Sequence, residues 1–230
     1  MKNERRNRWL WCLVAIVGFS SCTGNSNDTA DDLPYIGHHD IAQVSENGVN
    51  IGDTIYHTVP DFAYINQDSI AVTSEDLSGR IWIAKFFFAN CPTICPPMTM
   101  AMRDVHDSLQ GWHDDLYFLA FSIDPTRDTP SRIKDYIAAH NIQGPNWHFL
   151  TGVDEDETHY LGVHGFYVHA AADDAAPGGF AHSSNFVLVD KNRHIRGVYD
   201  GLDPDERSRL IQDVKFLIAQ DGTKDGSTNR

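Results

Sequence analysis

The chain has 230 residues, of which 32 are Asp or Glu and 18 are Lys or Arg, and its formal net charge at pH 7 is −14. This length suits one domain with short appendages. Such an acidic surface repels the phosphate backbone of nucleic acids, which excludes nucleic acid as a partner.

The amino terminus has the layout of a secretory signal peptide. Basic residues open the chain, an apolar run follows over residues 9–19, and small residues then lead to Cys22. This run is too short to cross a bilayer as a helix, which needs about 20 residues. We therefore interpret residues 1–21 as the signal.

Cys22 adds a prediction about anchoring. Residues 19–22 read Phe-Ser-Ser-Cys, which is similar to a bacterial lipobox except that Phe19 stands where Leu is usual. The sequence thus predicts a lipoprotein of the bacterial cell envelope that is anchored to the membrane through Cys22 and faces the periplasm. An ordinary cleaved signal and an uncleaved anchor are the alternatives. Residues 22–54 are polar and acidic, which predicts a tether and lead-in.

Residues 55–220 have the pattern of a globular domain, and residues 221–230 are expected to be a disordered tail. Strands are predicted at residues 61–66, 69–73, 81–88, 116–123, 147–150, 185–189 and 194–199, and helices at residues 96–109, 130–140 (capped by Thr129), 154–163 and 203–219. The order of these elements predicts the α/β class. We expect a thioredoxin-like fold, in which helices flank a central mixed sheet and an amino-terminal hairpin extends it.

Two cysteines, Cys91 and Cys95, lie between a buried strand and the start of a helix, in the segment Asn-Cys-Pro-Thr-Ile-Cys-Pro-Pro. Backbone N–H groups at a helix start favour thiolates, which are both nucleophiles and metal ligands. The pair could close a disulfide or bind one soft ion. Buried inert thiols and a permanent structural disulfide are the alternatives, although so short a loop gains little stability from a disulfide.

Four segments, in order along residues 55–220, resemble the Sco/SenC family of thioredoxin-fold copper chaperones for cytochrome c oxidase assembly. They are KFFFANCPTICP (residues 85–96), SIDPTRDTP (residues 122–130), WHFLTG (residues 147–152), and His182-Ser183 followed by FVLVD (residues 186–190). The resemblance implies that Cys91, Cys95 and His182 bind one copper ion, as Cu(I) or Cu(II), and that the two cysteines can form a disulfide. His164 and His169 are the best substitutes for His182.

Two further positions bear on the resemblance. The family usually has Asp directly before the histidine ligand, whereas this chain has Ala181, which puts redox tuning or partner recognition in question. Asp124 matches the family's Asp-Pro and is a candidate to support the ligands from an outer shell. The alternative for Asp124, and for Asp128, is that each caps a turn or a helix.

Two functions from different classes follow. In the first, the protein is a metallochaperone that delivers copper to the CuA site of a cytochrome c oxidase. Its expected partners are the oxidase subunit that carries the CuA site and other copper carriers. In the second, it is a thiol–disulfide oxidoreductase, in which Cys91 attacks a partner disulfide, such as that of the CuA cysteines, and Cys95 resolves the mixed disulfide. A copper-sensing or redox-signalling role is a third option.

Overall fold

The computed structural model describes residues 32–43, 45, 48–112, 116–144, 146–152, 154–173 and 175–225, with side chains as far as Gln220. The predicted signal peptide, Cys22 and the first part of the tether lie outside these residues. Among the described helices, none is both long and apolar enough to cross a membrane.

The described strands and helices have the following bounds. The strands are β1 (Asp40–Ile41), β2 (Thr54–Ile55), β3 (Ala63–Asn66), β4 (Ala71–Thr73), β5 (Ile81–Phe87), β6 (Leu116–Ser122), β7 (Trp147–Thr151), β8 (Ala170–Ala172), β9 (Phe180–His182), β10 (Asn185–Val189) and β11 (Ile195–Asp200). The helices are α1 (Cys95–Ser108), α2 (Pro130–Ala139), α3 (Glu155–Tyr160) and α4 (Pro204–Asp225). A 3-10 turn (Gln110–Trp112) follows α1, and one π-helical turn (Leu161–Gly165) continues α3.

Seven strands form the central sheet in the order β11-β10-β5-β6-β7-β3-β4. The three middle strands β5, β6 and β7 are parallel, and every other pairing in the sheet is antiparallel. All seven residues of β5 are buried, as the continuous apolar run predicts. The mixed sheet and flanking helices confirm the expected thioredoxin-like fold, and the predicted hairpin β3–β4 extends the sheet at one edge.

Alternation along β5 sends its side chains to two different layers. Phe86 lies on one face, where Phe121 and Phe166 pack with ring centroids 5.4 and 5.5 Å from it. Phe87 lies on the other face, where it packs against Tyr136 of α2. The second face is the one on which α1 and α2 meet, and it carries the site described below.

Most predicted elements are confirmed to within a few residues, and Thr129 caps α2 by accepting a hydrogen bond from the backbone of Arg132. Two strand pairs go beyond the prediction: β1–β2 in the lead-in, and β8–β9 where the sequence indicated a loop. Helix α4 continues to Asp225. The extra strands are short and contain no sustained alternation of apolar and polar residues, which is the signal that sequence reasoning uses.

Arg196 fastens the lead-in to the last strand of the sheet. Its guanidinium is almost fully buried and donates 3.0 Å to the carboxylate of Asp190, and it also pairs with Asp32. Further donation to the carbonyl oxygen of Pro34, and stacking 4.2 Å from the ring centre of Tyr35, hold the lead-in in place. Residues 32–35 of the lead-in are therefore held against β11.

We expect Arg196→Met to lower the free energy of unfolding by about 3 kcal/mol or more, because it leaves the buried Asp190 carboxylate without its counter-charge. Urea unfolding at neutral pH measures this loss. Arg209→Met is the matched control, since Arg209 is exposed, forms a surface ion pair with Glu206 and lies over the ring of Tyr199 at 5.7 Å. The control should change stability by about 0.5 kcal/mol or less, and an equally small change for Arg196→Met would contradict the fastening role.

Candidate metal centre

The start of α1 is built from the Cys-Pro-Pro sequence and a sulfur atom. Ile94 occupies the cap position and makes no side-chain capping bond. Pro96 and Pro97 have no N–H to satisfy, and the N–H of Met98 bonds the carbonyl of Ile94. The N–H of Cys95 points to the sulfur of Cys91, at 3.4 Å. Cys91 thus takes the place of a capping side chain, which fixes its sulfur beside that of Cys95.

The β8–β9 hairpin carries the third side chain of the cluster. His182 is the last residue of β9 and pairs with Ala170 of β8. The N–H of Ser183 bonds the carbonyl of His169, which closes the hairpin at its base. Alanines have low strand propensity and give little signal of a strand, so sequence reasoning placed His182 after a loop rather than on a strand.

The structure brings Cys91, Cys95 and His182 together. One ligand atom from each lies within 4.8 Å of the other two, and the Nε2 atom of His182 is 3.0 Å from the sulfur of Cys95, across 87 positions of the chain. The Nδ1 atom of His182 lies 3.0 Å from the carbonyl oxygen of Ser183. Donation from Nδ1 to that oxygen leaves the Nε2 lone pair directed at the sulfurs, the usual arrangement of a histidine ligand.

No other group of three or more His, Cys, Asp or Glu side chains within the described residues has this spacing. The exposed His164 and His169, which were the substitutes for His182, are therefore not part of such a group. Beside the ligands lies an open cleft of about 190 Å³, lined by Phe88, Ile94, Pro177 and Phe180 among others. The cleft gives an ion or a partner side chain access to Cys91.

Arg127 connects the hairpin to the loop after β6. Its guanidinium pairs with Asp124, donates 3.0 Å to the carbonyl of Gly178, and lies over the ring of Phe180 at 5.4 Å. Phe180 in turn packs against Phe88, which precedes the cysteine loop. The side chain of Asp124 therefore acts on Arg127, and its described contacts include none with a ligand side chain. The outer partner of His182 is the carbonyl of Ser183.

Asp128 is buried against the cysteine loop from the same side. Its carboxylate accepts hydrogen bonds from the Ser122 hydroxyl at 2.7 Å and from the Ala89 N–H at 3.0 Å. Burial raises the pKa of Asp128 to about 6. Asp128 therefore anchors the end of β5 to the loop after β6, and it adds negative rather than positive charge near the cysteines.

The two cysteines are electrostatically unequal. A hydrogen bond from the Cys95 thiol, the largest influence, acts together with two hydrogen bonds from the backbone to lower the pKa of Cys91 to about 3. Burial raises the pKa of Cys95, whose residue is fully enclosed, whereas Cys91 retains 8% of its surface. Both are free thiols in the structure. Cys91 is thus the thiolate that an incoming ion or disulfide meets first, and the disulfide between the two stays a prediction.

Lys85, Thr99 and Tyr136 form a polar group beneath the cysteines that sequence reasoning did not single out. The Lys85 ammonium donates to the Thr99 hydroxyl at 2.6 Å, and that hydroxyl lies 2.7 Å from the Tyr136 hydroxyl. The one feature of the sequence that could have indicated this group is the single lysine inside the apolar run of β5.

Comparison with known proteins places these residues in a family. A family model described as SCO1/SenC matches residues 53–219. A Bacillus subtilis protein named SCO1 protein homolog is 33% identical over 168 residues, which cover 73% of this chain and 86% of that protein. A Stutzerimonas stutzeri protein that is named as a copper-binding protein is 28% identical over 140 residues. The match covers 60% of this chain and 67% of that protein.

Solved structures agree. BsSco, which is described as a member of the Sco family of cytochrome c oxidase assembly proteins with a disulfide switch, superposes with a TM-score of 0.63 at 33% identity. The match covers 70% of this chain and 93% of that chain.

The low pKa of Cys91 predicts a thiol that stays reactive in acid. In the reduced, metal-free chain we expect iodoacetamide to alkylate Cys91 at about pH 5, where an ordinary thiol with a pKa of about 8.5 is almost unreactive. Because the folded value is lowered, the thiolate stabilises the folded chain above about pH 8.5, and this contribution is lost progressively as pH falls toward 3.

Cys95→Ala removes the main hydrogen bond to the thiolate, so it should raise the pKa of Cys91 and slow alkylation in acid. The site of modification is read by mass spectrometry, with Cys91→Ala as the blank. Alkylation of Cys91 that rises only near pH 8 in the otherwise unchanged chain would contradict the assignment.

Proposed function

Because the chain belongs to the SCO1/SenC family, we propose that it binds one copper ion through Cys91, Cys95 and His182 and delivers that ion to the CuA site of a cytochrome c oxidase. The observation that carries this proposal is the convergence of two sulfurs and one imidazole nitrogen from segments 87 positions apart. A single soft ion can be bound by all three of these atoms.

The donor set favours copper over other common metals. Thiolates are soft ligands that suit Cu(I), and imidazole is a ligand that both copper oxidation states accept. A structural zinc site normally closes with four protein ligands, whereas the described residues supply three here. Hard cations such as Mg²⁺ and Ca²⁺ prefer oxygen ligands and fit poorly.

An incomplete ligand shell also suits transfer. A copper ion on three ligands can accept a fourth from a receiving protein before the first three release it. The cleft beside Cys91 leaves room for such a ligand, and Cys91 is the more accessible of the two sulfurs. Delivery to an oxidase is supported by the relative BsSco, which is described as an oxidase assembly protein.

A second function is favoured by a separate observation. Cys91 has the low pKa and access of an attacking thiolate, and Cys95 is the buried thiol that would resolve a mixed disulfide. In such a step the Cys91 thiolate attacks one sulfur of a partner disulfide, the other partner sulfur leaves as a thiolate, and Cys95 then displaces the partner. The step leaves a disulfide between Cys91 and Cys95, and the partner disulfide is reduced to two thiols by the two electrons transferred. Reduction of the CuA cysteines would leave Cys91 and Cys95 as a disulfide, so a thiol reductant would have to reduce them again before the same molecule could bind copper.

We further propose that Cys22 is lipidated and anchors the domain to a membrane of the bacterial cell envelope, facing the periplasm. The support is the amino-terminal sequence: a basic start, a short apolar run, and Phe-Ser-Ser-Cys.

His182→Ala should weaken copper binding by roughly 100-fold or more, since the loss of an outer partner of a ligand alone costs roughly 10-fold to 100-fold. Anaerobic competition of the reduced full chain with a Cu(I) chelator measures the affinity. His164→Ala is the matched control, because His164 is exposed and lies outside the cluster. The three-ligand site is disproved if His182→Ala keeps the affinity and stoichiometry of the unchanged chain.

The same variant separates the two functions. Reduction of a model disulfide needs only the two sulfurs, so His182→Ala should retain most of that activity, whereas Cys91→Ser should abolish it.

Anchoring is tested in cells. With a signal of the lipoprotein type, the full chain should partition into detergent and carry acyl groups on Cys22 by mass spectrometry. Cys22→Ser should abolish the acylation. An unmodified amino terminus beginning elsewhere would indicate an ordinary cleaved signal.

A further inference from the structure

Lys85 is a charged residue in the centre of the sheet. Its side chain is fully buried at the middle of β5. The rings of Phe87 and Phe149 lie with their centres 6.0 Å from its ammonium nitrogen, and the one hydrogen-bond acceptor described for it is the hydroxyl of Thr99. Burying an ammonium in such surroundings costs free energy unless another charge compensates it.

Among the described residues, no carboxylate compensates Lys85. The other buried cation, Arg196, illustrates the usual solution, because it pairs with both Asp190 and Asp32. Lys85 has no such ion pair, and burial accordingly lowers its pKa to about 7. A negative charge placed close to Lys85 would therefore stabilise its ammonium form over the neutral amine.

The groups that adjoin Lys85 lead to the cysteines. Thr99, its hydrogen-bond partner, lies one helical turn after Cys95 on α1, so both side chains face the sheet. The Tyr136 hydroxyl lies 2.7 Å from the Thr99 hydroxyl and 3.4 Å from the carbonyl oxygen of Cys95.

The loaded site would supply that negative charge only in one oxidation state. Two thiolates and a neutral imidazole around Cu(I) carry a net charge of −1, whereas the same ligands around Cu(II) are neutral. The nearby cations are poor substitutes for Lys85: Arg127 is half exposed and already pairs with Asp124, and Arg132 is exposed. Water screens both of them.

Resting on the proposed copper binding, we propose that Lys85 is the buried counter-charge of the metal centre and that it makes the site selective for Cu(I) over Cu(II). The ammonium gains its missing partner when Cu(I) binds, and it gains nothing comparable from Cu(II). Lys85 is thus a specificity-determining residue that contacts neither the ion nor its ligand side chains directly.

The test is Lys85→Met, a neutral side chain of similar length. Anaerobic chelator competition on the reduced full chain should show Cu(I) affinity lower by roughly 10-fold to 50-fold, the effect expected of one charge about a helical turn away at intermediate dielectric. Cu(II) affinity should change by less than about 3-fold. The midpoint potential of the bound copper should therefore fall by about 60 to 100 mV, since tenfold corresponds to 59 mV for one electron.

Two controls define the result. Lys134→Met removes the same charge from the surface, where Lys134 pairs with Asp68, and it should leave both affinities unchanged. Lys85→Gln keeps a donor for Thr99 without the charge, and it serves if the methionine variant does not fold. The metal-free Lys85→Met chain should be at least as resistant to urea as the unchanged chain, because it no longer buries an uncompensated ammonium.

Outcomes separate this inference from the proposed function. Failure of the unchanged chain to bind copper would overturn the proposed function itself. Copper binding by the unchanged chain, with Cu(I) and Cu(II) weakened equally in Lys85→Met or not weakened at all, would overturn the counter-charge alone. Equal weakening together with a less stable metal-free chain would assign Lys85 a purely structural role.

Discussion

The geometry of the metal centre depends on one arrangement at the start of α1: the hydrogen bond from the Cys95 N–H to the sulfur of Cys91. Two prolines leave that N–H as the donor that the first turn has to satisfy, and a sulfur satisfies it instead of an oxygen. Capping and ligation thus use the same atom. A thiolate caps better than a thiol, because the positive end of the helix dipole favours negative charge, so the local structure of the helix start already selects the form of Cys91 that binds metal.

The sheet supplies the remaining constraint. Strands β5, β6 and β7 are parallel, so the loops that follow β5 and β6 leave the sheet at the same edge, and the cysteine loop and Asp124 meet there. Arg127 then spans from Asp124 to Gly178 and holds the β8–β9 hairpin over the cysteines. The hairpin contacts thus place His182 over the cysteines, and the hydrogen bond from its Nδ1 atom to the Ser183 carbonyl orients the ring, which leaves Nε2 available to a metal.

Sequence patterns predicted the sheet and helices well because the buried apolar side chains of those elements recur at regular spacings along the chain. The apolar run of β5, the Pro-rich start of α1 and the cap at Thr129 each have a local physical cause that is visible in the residues alone. Hairpin β8–β9 has no such cause, since its strands are short and rich in alanine, and its position depends on Arg127 and Phe180 contacting it from elsewhere in the chain. Resemblance to a family, not periodicity, identified His182 among twelve histidines.

The outer surroundings of the site were less predictable, because they depend on pairings across the fold. Asp124 was a candidate to support the ligands from an outer shell, yet its described partner is Arg127, and the Nδ1 atom of His182 lies against the Ser183 carbonyl instead. With Ala181 before the histidine, this chain has no carboxylate at that position, and the nearby buried acid, Asp128, is itself made less acidic by burial. The absence of a carboxylate at position 181 and the burial of a lysine beneath the ligands both make the electrostatic potential at the site more positive. Both changes favour the form of the site that carries an extra electron, which is the reduced ion.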